Sequence, residues 1–344
     1  MKNKYRGIPF IKIEAKNNQD FGYKLGLKLK NRIVDRIEVN KRDYKKIAFN
    51  VKDFNNLITK SEKFLPSIKK CFPKILDEAK AMADGADISF QDLFVLMCEE
   101  EIVDFKTLHC TSVAIKTING KFLLGNNEDW IPHYRRNGLM LVKGKIKDVK
   151  FLGLNYVGSL SGSSCGLNNY GVSYSDNSFA LNKFVYGVPR SFHLRALLEA
   201  KNVKESIKIL TTKPSINSNT MLVNSEGITS VESYFNHHDV YKSNNTFVHA
   251  NHPIEKKNRY KIIKDSIKRY DRAIKILSDE NKLTISTIKK VLKDHKGKIC
   301  EHDNRKQKNS SSPTIASVIM NPKDKWMMLC QGNPCKGVYK KYKL

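Results

Sequence analysis

The chain has 344 residues, 40% of them hydrophobic and 9% aromatic, enough apolar material for a sizeable core and against disorder throughout. Its 62 Lys+Arg against 34 Asp+Glu leave a net charge of +28, a field that attracts phosphates, anionic membranes or acidic substrates without marking a site. The lysines are spread along the whole chain among abundant Asn and Ile, so biased composition accounts for much of the excess without any partner. Met1 to Ile13 lack an apolar run followed by a small-residue cleavage site, and no stretch approaches the ~18 apolar residues of a membrane span. The expectation is a reduced, soluble, cytoplasmic protein forming one domain over 1–344.

In chain order, the N-terminal third reads as mostly helical, with Phe21, Leu25, Leu29 and Ile33 at helical spacing and further periodicity from Ile75 to Met82. Asp84-Gly85-Ala86-Asp87 breaks the pattern. Ser89 and Asp92 resemble a capping box opening a helix over Leu93 to Val103. Beyond Cys110 the runs become short, alternating and β-branched: Thr111 to Thr117, an Asn119-Gly120 turn, then Lys121 to Gly125, a strong hairpin signal. Strands are predicted at Leu139 to Val142, Val149 to Leu154 and Gly171 to Ser175. Helices follow at Arg190 to Leu198 and Val203 to Leu210. Strands return at Thr220 to Val223, Ile228 to Ser233 and Thr246 to Ala250. A very basic helix spans Arg259 to Leu277 and a short one Thr284 to Lys293; strands at Thr314 to Met320 and Trp326 to Cys330 close the chain. This order implies an α+β fold with sheets layered between helices, and not a doubly wound parallel sheet.

Cys110-Thr111-Ser112 stands at the first residue of a hairpin strand, where the helical third ends. A cysteine there can attack the carbonyl of His109, shift the acyl bond from nitrogen to sulfur and be released by hydrolysis. Its new α-amine, with a reference pKa of ~7.7–8.0, can act as a base near working pH, as a peptide nitrogen cannot. Nucleophile and base then sit on one residue. Against this stands the ordinary fate of a free cysteine, which is to be a small buried hydrophobe.

Several segments tip that balance: Cys110-Thr111-Ser112, Gly125-Asn126-Asn127-Glu128-Asp129-Trp130, Gly166-Leu167-Asn168-Asn169-Tyr170-Gly171-Val172, Val188-Pro189-Arg190, Arg195-Ala196-Leu197-Leu198-Glu199-Ala200, Ser230-Val231-Glu232, Ala250-Asn251-His252, Ala316-Ser317 and Gly332-Asn333-Pro334-Cys335. In this order they resemble the acyl-coenzyme A:6-aminopenicillanic acid (isopenicillin N) acyltransferase-like family of the cysteine N-terminal-nucleophile (Ntn) hydrolase superfamily. The similarity extends to Phe21-Gly22-Tyr23-Lys24-Leu25-Gly26. It implies a four-layer αββα Ntn sandwich, made as a precursor and cleaved between His109 and Cys110 into fragments 1–109 and 110–344 that stay associated. It implies further that Asp129 supports processing and the geometry at Cys110, and that Asn251 donates to the oxyanion of the tetrahedral intermediate. Thr111, Glu128 and Ser317 are candidate substrate contacts. Two positions depart from the family pattern: His109 stands where glycine is frequent, and Glu128 where the motif has Trp. Neighbours on a strand face opposite sides, so one of Glu128 and Asp129 lines the site, and Asp129 is the one expected.

Other constellations are weaker. Gly158, Gly162 and Gly166 are spaced as in phosphate loops, but no Gly-Lys-Ser/Thr follows and turns are the simpler reading. His237, His238, His249 and His252 lack a cysteine pair or a His-Glu-x-x-His helix, and the seven cysteines include no Cys-x-x-Cys, so no metal is expected. Cys165 and His193 fit a buried cysteine and a surface histidine better than a papain-like couple. The Arg259 to Arg272 helix reads as a solvated face.

The functional expectation is a cysteine amidohydrolase or acyltransferase acting on a small amide or acyl-CoA. No cofactor is expected, coenzyme A entering only as an acyl-donor substrate. Water or an amine resolves the Cys110 thioester, and both outcomes stay open. The rival is a basic nucleic-acid- or membrane-surface-binding protein with an inert Cys110, disfavoured by the lack of a helix-turn-helix, zinc finger or RNP-like motif. An unprocessed, inactive family member is a third reading.

Overall fold

Burial in the first third of the chain follows the helical repeat. The structure, a computed structural model, describes residues 7–47, 53–103, 110–131, 138–179, 184–255, 264–303 and 312–344. Its helices are α1 (Asn18–Ile47), α2 (Phe54–Glu62), α3 (Leu65–Cys71), α4 (Pro73–Ala86), α5 (Phe90–Met97), α6 (Glu99–Ile102), α7 (Arg190–Leu197), α8 (Val203–Leu210), α9 (Lys264–Ser278) and α10 (Ile285–Leu292). Its strands are β1 (Phe10–Ala15), β2 (Thr111–Lys116), β3 (Phe122–Asp129), β4 (Leu139–Ile146), β5 (Val149–Tyr156), β6 (Cys165–Asn168), β7 (Ser173–Ser178), β8 (Ser218–Val223), β9 (Ile228–Ser233), β10 (His238–Ser243), β11 (Thr246–His249), β12 (Thr314–Asn321), β13 (Trp326–Gln331) and β14 (Lys340–Lys343).

On α1, Phe21, Leu25, Leu29, Ile33, Ile37 and Tyr44 form one buried stripe. Gly22 and Gly26 bring this helix against α4 so closely that a Cβ at either would collide with the backbone of Glu78 or Met82. Asp87 ends α4 in the left-handed region at φ 54°. Ser89 then caps α5, accepting from the Asp92 amide at 3.5 Å. The single helix expected over Leu93 to Val103 is two pieces that part at Cys98, whose amide bonds back to the Val95 carbonyl. The break lets Glu99 turn inward, where it takes bonds from Arg36 (2.6 Å) and Tyr44 (2.8 Å).

The strands form two sheets, one ordered β1-β4-β5-β6-β7-β8-β9-β10 and the other β11-β2-β3-β12-β13-β14. Among the described strand pairs all are antiparallel except β1 with β4. The helices α1, α4, α5, α7 and α8 cover the larger sheet. The smaller sheet uses the two-residue period of its strands to face two ways. Ala114, Leu124, Val318 and Met320 point to the larger sheet, while Val113, Ile115, Leu123 and Ile319 pack on Ala273, Ile276, Ile288 and Val291 of α9 and α10. The result is the αββα layering that the resemblance implied. The basic helix, expected from Arg259, is described from Lys264 on, since residues 259–263 lie outside the described residues. Among the described residues no helix is long and apolar enough to cross a membrane.

Candidate active site

The β2–β3 hairpin organises the site. Thr117 and Lys121 close its turn, with the Thr117 amide on the Lys121 carbonyl at 2.8 Å and Gly120 at φ 71°, a conformation suited to glycine. From that turn the register runs to Thr111 opposite Asn127, which sets Cys110 opposite Glu128. Alternation then puts Cys110, Ser112, Asn126 and Glu128 on the face toward the larger sheet. Ser112 bonds Asn126 at 3.0 Å and reaches across the layers to Ser175 of β7 at 2.8 Å. Thr111, Asn127 and Asp129 face the α9–α10 side, and Asn127 donates to the carbonyls of Leu292 and Ile299, both at 2.8 Å.

Cys110 is 8% exposed. Its backbone N–H donates to Asn251 Oδ1 at 2.8 Å, and the same oxygen accepts from Arg269 Nη2 at 2.6 Å. Asn251 is itself held, its Nδ2 donating to the Ser178 carbonyl (2.8 Å) and its amide to Ser266 Oγ (2.7 Å). The thiol lies 3.9 Å from the Asp129 carbonyl. Burial pushes the Cys110 thiol well up, and the neighbouring Glu128 and Asp129 carboxylates push it further, with Arg190 pulling the other way. In the intact chain this sulfur therefore holds its proton, and ionising it needs an added base.

The adjacent carboxylates have separate surroundings. Glu128 accepts from Ser164 Oγ at 2.6 Å and from the Tyr156 hydroxyl; burial raises its pKa against the pull of both bonds. Asp129 is pushed well up by burial, with Thr314 and the Arg269 guanidinium drawing it back. Near the Glu128 side lies Arg190, paired with Asp176 and Glu100. Its charge acts on both Cys110 and Glu128.

Asn251 binds the Cys110 amide and Glu128 shares the face of the Cys110 side chain, whereas Asp129, the carboxylate expected to line the site, turns its side chain to the α9–α10 side and brings its carbonyl to 3.9 Å of the sulfur, because the ladder sets Cys110 opposite Glu128. His109 lies outside the described residues. Thr111 and Ser317 are both buried on the other face of the sheet from the Cys110 side chain, and Ser317 is engaged with the Tyr339 hydroxyl at 2.7 Å. Gly158 and Gly162 sit in turns at φ 81° and 77°, in keeping with the simpler reading, whereas Gly166 is not in a turn but within β6, paired with Gly153 and Tyr174. His193 corrects the surface reading: it is 3% exposed, bonded to the Thr212 carbonyl at 2.8 Å, and burial lowers its pKa to about 4. The largest omission was Arg269, fully buried in the helix read as solvated. Ser266, Arg269, Ala273, Ile276 and Leu277 form the buried stripe of α9, and that helical spacing was the available signal.

A two-layer sheet core with a cysteine at a strand start, its amide bound by an asparagine that an arginine holds, is an arrangement suited to acyl transfer. The model of the acyl-coenzyme A:6-aminopenicillanic acid acyl-transferase family matches residues 115–336, and the chain belongs to that family. The match contains Asp129, Arg190, Asn251 and Arg269 and begins beyond Cys110. The chain is also 29% identical over 167 residues to the beta-alanyl-dopamine/carcinine hydrolase of Drosophila melanogaster, a stretch covering 42% of this chain and 43% of that protein. Similar solved structures include the N-acylethanolamine-hydrolyzing acid amidase ortholog of Caenorhabditis elegans (16% identity, TM-score 0.48, 68% of this chain and 100% of that one). Another is a variant of conjugated bile acid hydrolase from Clostridium perfringens (13% identity, TM-score 0.47, 68% of this chain and 97% of that one).

Proposed function

We propose that the chain is a self-processing cysteine amidohydrolase or acyltransferase for small acylated substrates. Cys110 Sγ attacks the carbonyl of His109; the C–S bond forms, the C–N bond breaks, and the Cys110 nitrogen takes the proton. Water then hydrolyses the thioester, leaving a carboxylate on His109 and a free amine and thiol on Cys110. In turnover the amine accepts the thiol proton as sulfur attacks the substrate carbonyl, and passes it to the leaving group. Water or an acceptor amine resolves the acyl-cysteine.

The observation that carries this reading is the contact of the Cys110 nitrogen with Asn251 Oδ1, an oxygen also held by Arg269. A clamp on a backbone nitrogen in this position would keep the future base beside its own sulfur. The adjacent Asp129 and Arg269 would bias that amine by charge. In the intact chain the Asn251 Nδ2 is committed to Ser178, so an oxyanion role for Asn251 requires that bond to open after processing. Residues on both sides of Cys110 share the larger sheet, since β1 pairs with β4, which favours fragments that stay together. The fly relative is named as a beta-alanyl-dopamine/carcinine hydrolase, which favours an amide whose leaving group is an amine.

Intact mass under denaturing conditions, comparing wild type with Cys110→Ala, tests the proposal. Fragments 1–109 and 110–344 are expected from the former and one chain from the latter. A single uncleaved chain in both, with no amide hydrolysis by the wild type, would overturn it and favour the rival basic binding protein.

A further inference from the structure

Outside the candidate active site, His295, Cys300, His302 and Cys335 place one ligand atom each within 4.8 Å of all the others. The Cys300 and Cys335 sulfurs are 3.6 Å apart, and His302 Nε2 lies 3.2 Å from Cys335 Sγ, 3.9 Å from Cys300 Sγ and 3.2 Å from His295 Nε2. A tetrahedral zinc with Zn–S of about 2.3 Å and Zn–N of about 2.0–2.1 Å requires S···S near ~3.8 Å, N···N near ~3.3 Å and S···N near ~3.6 Å. These four of the six separations fall within about 0.4 Å of that geometry, and His295 lies within 4.8 Å of both sulfurs.

The ligands come from separate segments. His295 follows α10, Cys300 and His302 lie on the segment leading away from it, and Cys335 stands between β13 and β14. The stretch from His295 to Cys300 is already fixed, with the Cys300 amide on the Asp294 carbonyl at 2.9 Å and the Lys298 amide on the His295 carbonyl at 3.1 Å. An outer group is present as well: Asn333 Nδ2 donates to Cys300 Sγ at 3.5 Å and to the Glu301 carbonyl at 2.6 Å. An amide N–H on a ligating sulfur is the kind of support that orients a metal ligand.

We infer that His295, Cys300, His302 and Cys335 form a Cys₂His₂ site for a single zinc ion. Four protein ligands of this type close the coordination sphere, so the ion is structural and not a generator of hydroxide. It clips the C-terminal loop to the segment after α10. That segment also lies against the acid of the candidate active site: Glu301 and Thr314 exchange backbone and side-chain bonds, and Thr314 is opposite Asp129 in the sheet. The zinc site stands independently of the role proposed for Cys110.

The test counts metal in the full-length chain after growth with zinc and gel filtration, by plasma mass spectrometry. The wild type and Cys110→Ala are both expected to carry about one zinc, and Cys300→Ser/Cys335→Ser less than about one-tenth as much. To guard against a double variant that fails to fold, cobalt is added to the wild-type chain freed of metal by chelation. The expected spectrum shows tetrahedral visible bands with thiolate-to-metal charge transfer, and added zinc abolishes it. A wild type that holds no zinc, zinc undiminished in the double variant, an octahedral cobalt spectrum, or a Cys300–Cys335 disulfide in the freshly isolated chain would each overturn the inference.

Discussion

Two arginines of α7 meet the same chemistry in different company. Arg195, fully buried, donates two hydrogen bonds to Glu78, each at 2.7 Å, and forms an ion pair with Glu199 at 2.9 Å. Asn18 of α1 completes the cluster by donating to both Glu78 and Glu199. One guanidinium here serves two carboxylates, and the network ties α1 and α4 to α7. Arg190 also faces two acids, Glu100 and Asp176, but its charge reaches past them to Glu128 and the Cys110 sulfur. A buried ion pair is thus a structural tie in one place and, on the proposed function, part of a reactive environment in the other, and only the surroundings tell them apart.

Removing each arginine in turn separates the two environments. Arg195→Met leaves Glu78 buried without its partner and is expected to cost about 3–5 kcal/mol in urea-unfolding stability. Adding Glu78→Met should recover most of that, with kcat/KM unchanged in the double variant. Loss of turnover there would break the distinction. Asn251→Ala, on the reactive side, is expected to lower kcat by roughly 10²–10³-fold with a smaller change in KM, measured on the processed enzyme. Arg190→Met combined with Asp176→Asn, which removes one of the stranded acids, should lower kcat on the order of 10-fold while the Arg195 pair remains intact. Unchanged kcat would reduce Arg190 to a second structural tie.

A separate effect is on pH dependence. Burial lifts Glu101 from 4.5 to about 8, against the bonds it accepts from the Arg190 amide and Ser215. Its pKa is higher folded than unfolded, so its contribution to stability is complete below pH 4.5 and is lost as pH rises through about 8. Glu101→Gln should flatten the fall in urea midpoint across that window, and an unaltered slope would contradict it.

The sequence carried the parts of the fold that are local. The β2–β3 hairpin was legible because Asn119-Gly120 dictates its turn, and α8 because Asn202 caps it and its apolar residues keep period. β6 was missed: its four residues, Cys165–Asn168, are too few to show alternation, and their pairing is set by β5 and β7. β1 was hidden for a related reason, since its partner is β4, far along the chain. At the candidate site, Cys110, Asp129 and Asn251 entered through the family resemblance, and the distances that join them are set by the layers. Arg269 was obscured by the charge of its helix. The His295, Cys300, His302 and Cys335 cluster was invisible because spacing rules describe contiguous motifs, whereas here the return of Cys335 depends on the β12–β13 connection.

The hairpin has one more consequence. Glu128 and Asp129 are consecutive on β3, one turned to Tyr156 and the other to the α9 side, and only the ladder from Thr117–Lys121 upward decides which is which. Sliding the ladder by a single residue exchanges their sides, while a slide of two restores them. The number of residues in a distant surface turn is therefore a parity setting for the chemistry proposed at Cys110, and a lone insertion at Asn119-Gly120 is expected to be far more damaging than a paired one.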